Sequence, residues 1–206
     1  DGVTDDTAAI QAAIDAAEVN GGIVYIPGGT FLLSGSGTEL LLVTEQVTIE
    51  GSGSRSVLLV DSAVPNTTDV LRLSPNGAGW GYGLDAFRIM PEAGTPARHA
   101  INIDIADQYQ FMAKMRIENL MIGPLGGRAI YLDNPTNQDG FFTSVIQNNF
   151  FYGGLSLIRA GDSLNIMGNT FTGANTGIDL DLVPGASHVT IAYNNFTSTG
   201  GAVRVT

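Results

Sequence analysis

Short apolar segments separated by Gly, Asn, Asp and Pro follow one another from about residue 22 to the end of the chain. In several of these segments, such as residues 101–104 and 178–182, apolar and polar residues alternate. This alternation predicts β-strands with one buried face. The apolar positions also recur in two interleaved series, with increments of 20–40 and 23–30 residues. The first series is Ile49, Ile89, Ile117, Ile146, Ile166 and Ile191, and the second is Leu73, Ile103, Ile130, Leu157, Leu180 and Val203.

Three members of the first series share the pattern Ile-x-x-Asn-x-Phe, and residues 117–122 keep its apolar positions with Leu120 in place of Asn. A repeat of this length built from strands alone predicts a solenoid. The leucine-rich repeat frame is absent from the sequence, and an antiparallel sandwich would not show two registers within one period. We therefore predict a parallel β-helix with about three strands per coil. Its stacked Asn residues, which tolerate left-handed backbone geometry, are expected to hydrogen-bond from coil to coil.

The first twenty residues contain the one segment with a convincing helical pattern. Ile10, Ala13, Ile14 and Ala17 follow an i, i+3, i+4, i+7 spacing in an Ala-rich run, and Gly21-Gly22 ends it. We predict a helix within residues 4–20 that covers the edge strands of the first coil, followed by coils over residues 22–206. The chain then forms one domain, and its start and end in mid-pattern suggest a fragment of a longer protein.

Composition excludes several classes of protein. The 206 residues carry a net charge of −11 and no Cys, which argues against nucleic-acid binding, a disulfide framework and a thiolate zinc site. The longest aliphatic run, residues 40–43, is far too short to span a bilayer, so no membrane insertion is expected. We expect no metal site and no cofactor, apart from Ca²⁺ if the protein is a lyase.

Residues 1–14 (DGVTDDTAAIQAAI) resemble the start motif of the pectate-lyase-like right-handed parallel β-helix proteins. Residues 21–31 (GGIVYIPGGTF) resemble the segment that follows it in that family. The resemblance implies an all-β fold, a right-handed single-stranded parallel β-helix with an N-terminal capping α-helix. It is strongest to phage tailspike and appendage proteins, which implies a homotrimer, an extracellular or virion-surface location and a polysaccharide along one side of the solenoid. It supplies no catalytic residue by motif, so the chemistry has to be argued separately.

Outward-facing residues of the second series are the candidate catalytic groups. If the residues of that series point inward, their neighbours Asp104, Asp133, Asp179 and Asp181 point outward along one lateral strip. Carboxylates two residues apart on a strand, or on adjacent coils, lie about 6.6 and about 4.8 Å apart, which spans the separations used in glycoside hydrolysis. Close carboxylates also separate in pKa, which leaves one of them as a general acid.

The candidate substrate-binding residues are cations and aromatic residues on the same strip or on a Gly-rich loop. They are Arg204, Arg159, Tyr131, Trp80 and Tyr82. His99 and His188 are interpreted as loop-surface and bend residues.

Three functions stay open at this point. The first is a phage tailspike-type domain that binds and depolymerises bacterial surface polysaccharide. The second is a secreted polysaccharide lyase or glycoside hydrolase, with hydrolysis favoured. The third is a non-catalytic glycan-binding or structural module. The charge of −11 favours a neutral or mixed glycan, because it repels an anionic polymer unless Ca²⁺ or a local basic strip intervenes.

Overall fold

The computed structural model describes residues 1–105, 110–133, 140–173, 177–184, 186–197 and 200–206. Within them the chain winds through seven coils after the helix α1 (Thr7–Glu18). Coils one and two contain β1 (Gly22–Ile26), β2 (Gly29–Leu33), β3 (Glu39–Val43), β4 (Val47–Gly51), β5 (Ser56–Val60) and β6 (Asp69–Leu73), with a 3-10 turn at Gly53–Arg55. Coil three contains β7 (Ala78–Trp80), β8 (Gly83–Asp85), β9 (Arg88–Pro91) and β10 (Ile101–Asp104).

The remaining coils repeat this order. Coil four contains β11 (Phe111–Ala113), β12 (Arg116–Glu118), β13 (Met121–Ile122) and β14 (Ile130–Asp133). Coil five contains β15 (Phe141–Phe142), β16 (Val145–Gln147), β17 (Phe150–Tyr152) and β18 (Leu155–Ala160). Coils six and seven contain β19 (Asn165–Met167), β20 (Thr170–Thr172), β21 (Ile178–Leu182), β22 (Thr190–Ala192), β23 (Asn195–Thr197) and β24 (Val203–Val205).

Like strands of successive coils pair in parallel to form four sheets. Sheet 1 has the order β1-β4-β8-β12-β16-β19-β22, and sheet 2 has the order β2-β5-β9-β13-β17-β20-β23. Sheet 3 has the order β3-β6-β10-β14-β18-β21-β24, and the short sheet 4 has the order β7-β11-β15. This arrangement confirms the predicted parallel β-helix, with three long sheets around one continuous apolar interior.

The two predicted series largely coincide with sheets, but Ile89 was assigned to the wrong one. It lies in sheet 2 between Leu58 and Ile122, and Leu84 takes the place beside Ile49 in sheet 1. The error arises because coil three is longer than the later coils, so spacing alone does not identify the partner strand. The second series lies wholly in sheet 3. There Ile130 pairs with Ile101 and Leu155 instead of Ile103 and Leu157, and Val203 pairs with Ile178 instead of Leu180. Each offset is two residues, which keeps the side chains on the inner face.

The predicted Asn ladder is present at the turn from sheet 1 to sheet 2. The Oδ1 of Asn169 accepts the Asn149 backbone N–H at 3.0 Å and its Nδ2 at 2.9 Å, and Asn194 does the same for Asn169. Leu120 completes the ladder by donating its backbone N–H to Asn149 Oδ1 at 2.9 Å. The expected reason needs one correction. The left-handed residue is the one before each ladder Asn, with φ +58° at Asn148 and +65° at Gly168.

Helix α1 caps the first coil, as predicted, and it does so partly with side chains. Ile14 is fully buried against the coil. The Gln11 side chain accepts the Leu42 backbone N–H at 2.8 Å and donates to the Leu42 carbonyl at 2.9 Å, as a neighbouring strand would. Glu18 accepts the backbone N–H groups of Thr44 and Glu45. The free edge of β3 is therefore closed by two polar side chains.

The start of the helix is held by Asp5. Its Oδ1 accepts the Thr7 hydroxyl at 2.6 Å and the Thr7 backbone N–H at 3.0 Å. These hydrogen bonds lower the pKa of the Asp5 carboxyl. The preceding residues also pair with β2, through a bridge between Asp5 and Leu32 and a bond from Gly2 N–H to the Thr30 carbonyl.

Candidate functional site

The outer face of sheet 3 carries the predicted polar strip in two adjacent columns. The first runs through Arg72, Asn102, Tyr131, Ser156, Asp179 and Arg204. The second contains Asp104 and Asp133, which pair directly across neighbouring coils. The side chain of Asp133 lies outside the described part of the structure. Asp181 follows Asp179 by two residues on β21, so these two and Asp104 lie on the predicted sheet.

Asp104 is engaged by an arginine that the sequence analysis did not single out. The Arg72 guanidinium binds Asp104 through Nε, at 3.1 Å from Oδ2, and through Nη2. Its Nη1 reaches Glu39 Oε2 at 3.1 Å on the neighbouring coil. The hydrogen bond to Asp104 raises the pKa of Arg72, so the cation is firmly charged between two carboxylates. This triple fixes the position of Asp104 and occupies one of its oxygens.

Asp179 is held in a similar way by Arg204. The guanidinium donates from Nε to Asp179 Oδ1 at 2.7 Å and from Nη2 to Oδ2, which makes a two-point pair. Asp181 has no ion pair with any other described residue. The catalytic roles predicted for these aspartates stay predictions. A role for Asp179 as a nucleophile would require Arg204 to leave it.

A buried charge lies at the start of β6, close to the first column. The Asp69 side chain is fully buried, and its two oxygens accept Nε and Nη2 of Arg98 at 2.8 and 2.6 Å. Asn102 Nδ2 also donates to it at 2.6 Å. Burial raises the pKa of Asp69, but the hydrogen bonds from Arg98 and Asn102 outweigh burial and keep it below its ordinary value. The carboxylate therefore holds Arg98 and Asn102 in fixed positions on the sheet 3 side of the molecule.

His99 completes this cluster. It lies in a loop, as interpreted, but its ring is half-buried and packed instead of free on the surface. Its ring stacks on Tyr131 with centroids 4.4 Å apart and planes 3° apart. Its Nδ1 accepts the Arg128 backbone N–H at 2.9 Å, so the neutral ring carries its proton on Nε2. Burial lowers the pKa of His99 to about 4. The negative charge of Asp69 opposes this shift, and the charges of Arg98 and Arg128 add to it. The ring is thus a neutral hydrogen-bond donor at neutral pH.

A cavity of about 440 Å³ opens beside this cluster, at the corner where sheet 2 leads into sheet 3. Its polar and aromatic lining comes from Thr95, His99, Arg128, Tyr152 and Thr172. Glycines form much of the rest of the lining, and at position 127 the close approach of neighbouring atoms requires a glycine. A Cβ there would lie 2.3 Å from the Arg98 carbonyl oxygen and 2.6 Å from His99 Nδ1. The backbone can therefore approach His99 only where no side chain intervenes.

The other predicted binding residues lie in different places. Arg159 lies at the bulge of β18 in sheet 3, with φ +55°. Trp80 lies on sheet 4 and is 43% exposed. Tyr82 was predicted to bind substrate, but it is only 2% exposed, and its hydroxyl donates to the Thr44 carbonyl at 3.3 Å. Burial raises its pKa and removes its ring from the surface, so it is not available to stack on a sugar. His188 is exposed at a bend with φ +59°, as interpreted.

The charge on this side of the molecule differs from that of the chain as a whole. Five of the nine basic residues lie in a strand of sheet 3 or in the three residues before one: Arg72, Arg98, Arg128, Arg159 and Arg204. Six acidic residues lie in the same positions: Glu39, Asp69, Asp104, Asp133, Asp179 and Asp181. This face is therefore almost neutral in a chain of net charge −11. It therefore repels an anionic ligand less than the rest of the chain does.

Two further findings concern metals and membranes. No group of three or more His, Asp or Glu residues in the described ranges is arranged to hold a metal ion. The described helix is too short to cross a membrane.

A coiled stack of parallel sheets with a polar, aromatic face along one side defines a class, the parallel β-helix proteins. The chain belongs to the family described as "Rhamnogalacturonase A/epimerase, pectate lyase-like", whose profile matches residues 1–204. Among curated relatives, it is 46% identical over 79 residues to mannuronan C5-epimerase AlgE1 and 38% identical over 95 residues to alginate lyase 7, both of Azotobacter vinelandii. These matches take in 35% and 43% of this chain but only 6% and 11% of the relatives.

The solved structures that match are more distant in sequence. The A-module of Azotobacter vinelandii mannuronan C-5 epimerase AlgE4 is 14% identical with a TM-score of 0.32, over 99% of this chain and 94% of that one. ORF18 of Geobacillus virus E2 is 15% identical with a TM-score of 0.33, over 100% of this chain and 59% of that one.

Proposed function

We propose that this domain binds an acidic polysaccharide along sheet 3 and transfers a proton at the carbon next to a uronate carboxylate. The observation that carries the proposal is the neutral His99 ring, which stacks on Tyr131, lines a cavity together with Arg128, and lies close enough to Arg98 to feel its charge. The names of the relatives support the same substrate class, since an epimerase of mannuronan and a lyase of alginate both act on uronate polymers.

The chemistry assigns a role to each kind of group. The arginines bind the carboxylate of one sugar and stabilise the negative charge that spreads onto it when the C5 proton leaves. The His99 Nε2–H donates to the same sugar without adding a charge. Tyr131 lies on the same face and is our candidate for the base, which as the phenolate accepts the C5 proton. The phenol so formed supplies the proton to a departing 4-linked oxygen, and water supplies the proton that returns on the opposite face. Return of a proton to the opposite face inverts C5, whereas loss of the 4-linked oxygen, with a proton to that oxygen, cleaves the chain.

One assay separates the possible reactions. The domain is incubated in D₂O with polymannuronate, polygalacturonate or a neutral glucan as the control. Absorbance at 235 nm reports elimination, and deuterium at C5 without absorbance reports epimerisation. New reducing ends without either signal report hydrolysis, which would favour the predicted carboxylates Asp179 and Asp181 instead. Absence of all three signals with the acidic polymers, or their presence with the glucan alone, would overturn the proposal.

Matched variants test the placement of the site. Arg128→Ala and Tyr131→Phe should each lower turnover by about 100-fold or more, since general acid–base and electrostatic groups contribute at that scale. Tyr25→Phe, on the outer face of sheet 1 and 58% exposed, is the control and should keep full turnover. Equal activity in all three variants would remove the reaction from this face.

The finer assignment to a phage tailspike belongs to the same proposal. A tailspike-type domain would depolymerise or bind a bacterial surface polysaccharide at the sheet 3 face, as a homotrimer on the virion or in the extracellular medium. Light scattering decides the oligomeric part, since a trimer of the 21.5 kDa chain has about three times the monomer mass. A monomer would remove the tailspike assignment and leave the enzyme proposal unchanged.

A further inference from the structure

Sheet 4 carries a cluster of aromatic side chains that the sheet 3 face does not use. Trp80 meets Phe111 and Phe142 edge-on, with centroids 5.2 and 6.0 Å apart, and the two phenylalanines lie 5.5 Å from each other. The inward residues of this sheet, Met112 and Phe141, are fully buried. The phenylalanines thus support the Trp80 ring from the sides, while 43% of the tryptophan stays in solvent.

Lys114 links this cluster to a cavity on its other side. Its Nζ lies 5.5 Å from the centroid of the Trp80 ring. The same lysine lines a cavity of about 270 Å³ between sheets 4 and 1, together with Thr48, Asp85, Arg116 and Glu118. The cavity exists because Gly83, between Thr48 and Arg116 on sheet 1, has no side chain to fill it. A Cβ at Gly83 would lie 2.7 Å from the Thr48 hydroxyl oxygen.

The charges in this cavity are arranged unevenly. Arg116 is bound to Glu118 through Nε at 2.7 Å and Nη2 at 3.0 Å, and this pairing lowers the pKa of Glu118. Asp85 accepts Asn119 Nδ2 at 2.8 Å. Lys114, by contrast, has no ion pair with any described residue. It is the cation left to meet an anion from outside.

Lys114 lies at a turn that recurs in three successive coils. The residue has φ +53°, a left-handed conformation that costs a non-glycine residue about 1 kcal/mol or more. Gly81 takes the corresponding turn one coil earlier, with φ +84°. Thr143 takes it one coil later, with φ +51°, so this conformation belongs to the turn and not to the lysine. What distinguishes position 114 is that the sole lysine of the chain lies there, beside the sole tryptophan.

We propose that Trp80, Lys114 and the adjoining cavity form a second carbohydrate subsite, which takes one uronate residue of an acidic polysaccharide. The apolar face of the sugar ring stacks on the exposed indole, and the carboxylate pairs with Lys114 Nζ. Asp85 and Glu118 accept hydrogen bonds from the hydroxyl groups of the sugar, and Arg116 donates hydrogen bonds to those hydroxyl groups. The choice of a uronate rests on the proposed function, but the site is separate from His99 and Tyr131.

The sole tryptophan makes this site directly observable. A uronate trisaccharide is titrated into the protein while Trp80 emission and the heat of binding are recorded. We expect a saturable change in emission, which is absent with a neutral trisaccharide, and two binding events per chain by calorimetry. Lys114→Glu should abolish the emission change and reduce the stoichiometry to one. Arg55→Glu, an exposed cation in the 3-10 turn, is the matched control and should retain both.

Two further variants separate this proposal from the one for sheet 3. Arg128→Glu should remove the other binding event and leave the emission change intact. If calorimetry shows one binding event and Lys114→Glu removes it, the second subsite is supported and binding at sheet 3 is overturned. If there is one binding event, Arg128→Glu removes it and Trp80 emission does not change, only the second subsite is overturned. Thermal unfolding of Lys114→Glu is measured in parallel, and Lys114→Gln repeats the titration with no charge reversal.

Discussion

Asp69 and Arg98 form a two-point ion pair in which the carboxylate is fully buried while the guanidinium is 41% exposed. Breaking a pair from its buried side leaves a cation and the Asn102 amide without their acceptor. We expect Asp69→Ala to lower the free energy of unfolding by about 2–4 kcal/mol, close to the range for broken buried pairs. Asp179→Ala is the comparison and should cost less, since its partner Arg204 is 64% exposed and is solvated when the pair is broken. Urea unfolding of both variants measures the difference, and equal losses would contradict the assignment.

The depressed pKa of His99 predicts how stability changes with pH. Burial lowers the folded-state pKa to about 4, whereas the unfolded chain has the ordinary value near 6.5. Below about pH 6.5 the unfolded state therefore binds more protons, and stability falls as the pH drops towards about 4. His99→Gln should lose less stability over this window than the unsubstituted chain. Parallel pH curves for the two proteins would show that His99 is not the group responsible.

Tyr131 has two separable contributions, its ring and its hydroxyl. Tyr131→Phe keeps the ring that stacks on His99 and should leave the pKa of His99 near 4 while turnover falls. Tyr131→Ala exposes the imidazole and should raise that pKa towards its ordinary value. The His99 ring resonances in a proton NMR titration report both outcomes. An unchanged titration in Tyr131→Ala would mean that the stack does not contribute to the burial of His99.

The fold was more accessible from the sequence than the site was. Strands, helix and Asn ladder follow from local alternation and from a repeat, which survive small changes in coil length. The site depends on Asp69 and Arg98, which lie 29 residues apart and meet only when β6 and β10 stack in one register. Coil length varies here, as the misplaced Ile89 shows. These residues also lie at or before strand starts, outside the alternation that selected Asp104 and Asp179.

The Asn ladder predicts that the stability of the fold depends strongly on the Asn169 side chain. Asn169 is 1% exposed, accepts from Asn149, and donates to the Ile146 carbonyl at 2.9 Å and to Asn194 at 3.0 Å. Asn169→Ala leaves buried hydrogen-bonding groups on adjacent coils without a partner. It should lower the free energy of unfolding by about 2–4 kcal/mol, since each unsatisfied group costs about 1–3 kcal/mol. Asn165→Ala, on the outer face of sheet 1, should cost less than about 0.5 kcal/mol. Thermal unfolding compares them, and similar melting points would refute a structural role for the ladder.

Because the sheet 3 face is nearly neutral in a chain of charge −11, we expect salt to raise the rate at which an acidic polymer associates with the protein. An acidic polymer meets long-range repulsion before it meets the arginines. Raising ionic strength from 0.01 to 0.15 M shortens the Debye length from about 30 to about 8 Å and screens that repulsion more than the close ion pairs. The association rate measured by stopped flow should therefore rise over this range. A fall, as for a protein that attracts the polymer at long range, would contradict this charge arrangement.

The two hydrogen bonds between Gln11 and Leu42 also limit how the molecule can associate. Solenoids that stack end to end into a fibre need every unit to offer strand backbone at both of its ends. Here an amide side chain has already taken the place of the incoming strand at the helical end. Addition of a strand to the β3 edge is therefore blocked, and a second copy of the solenoid cannot extend sheet 3 from this end.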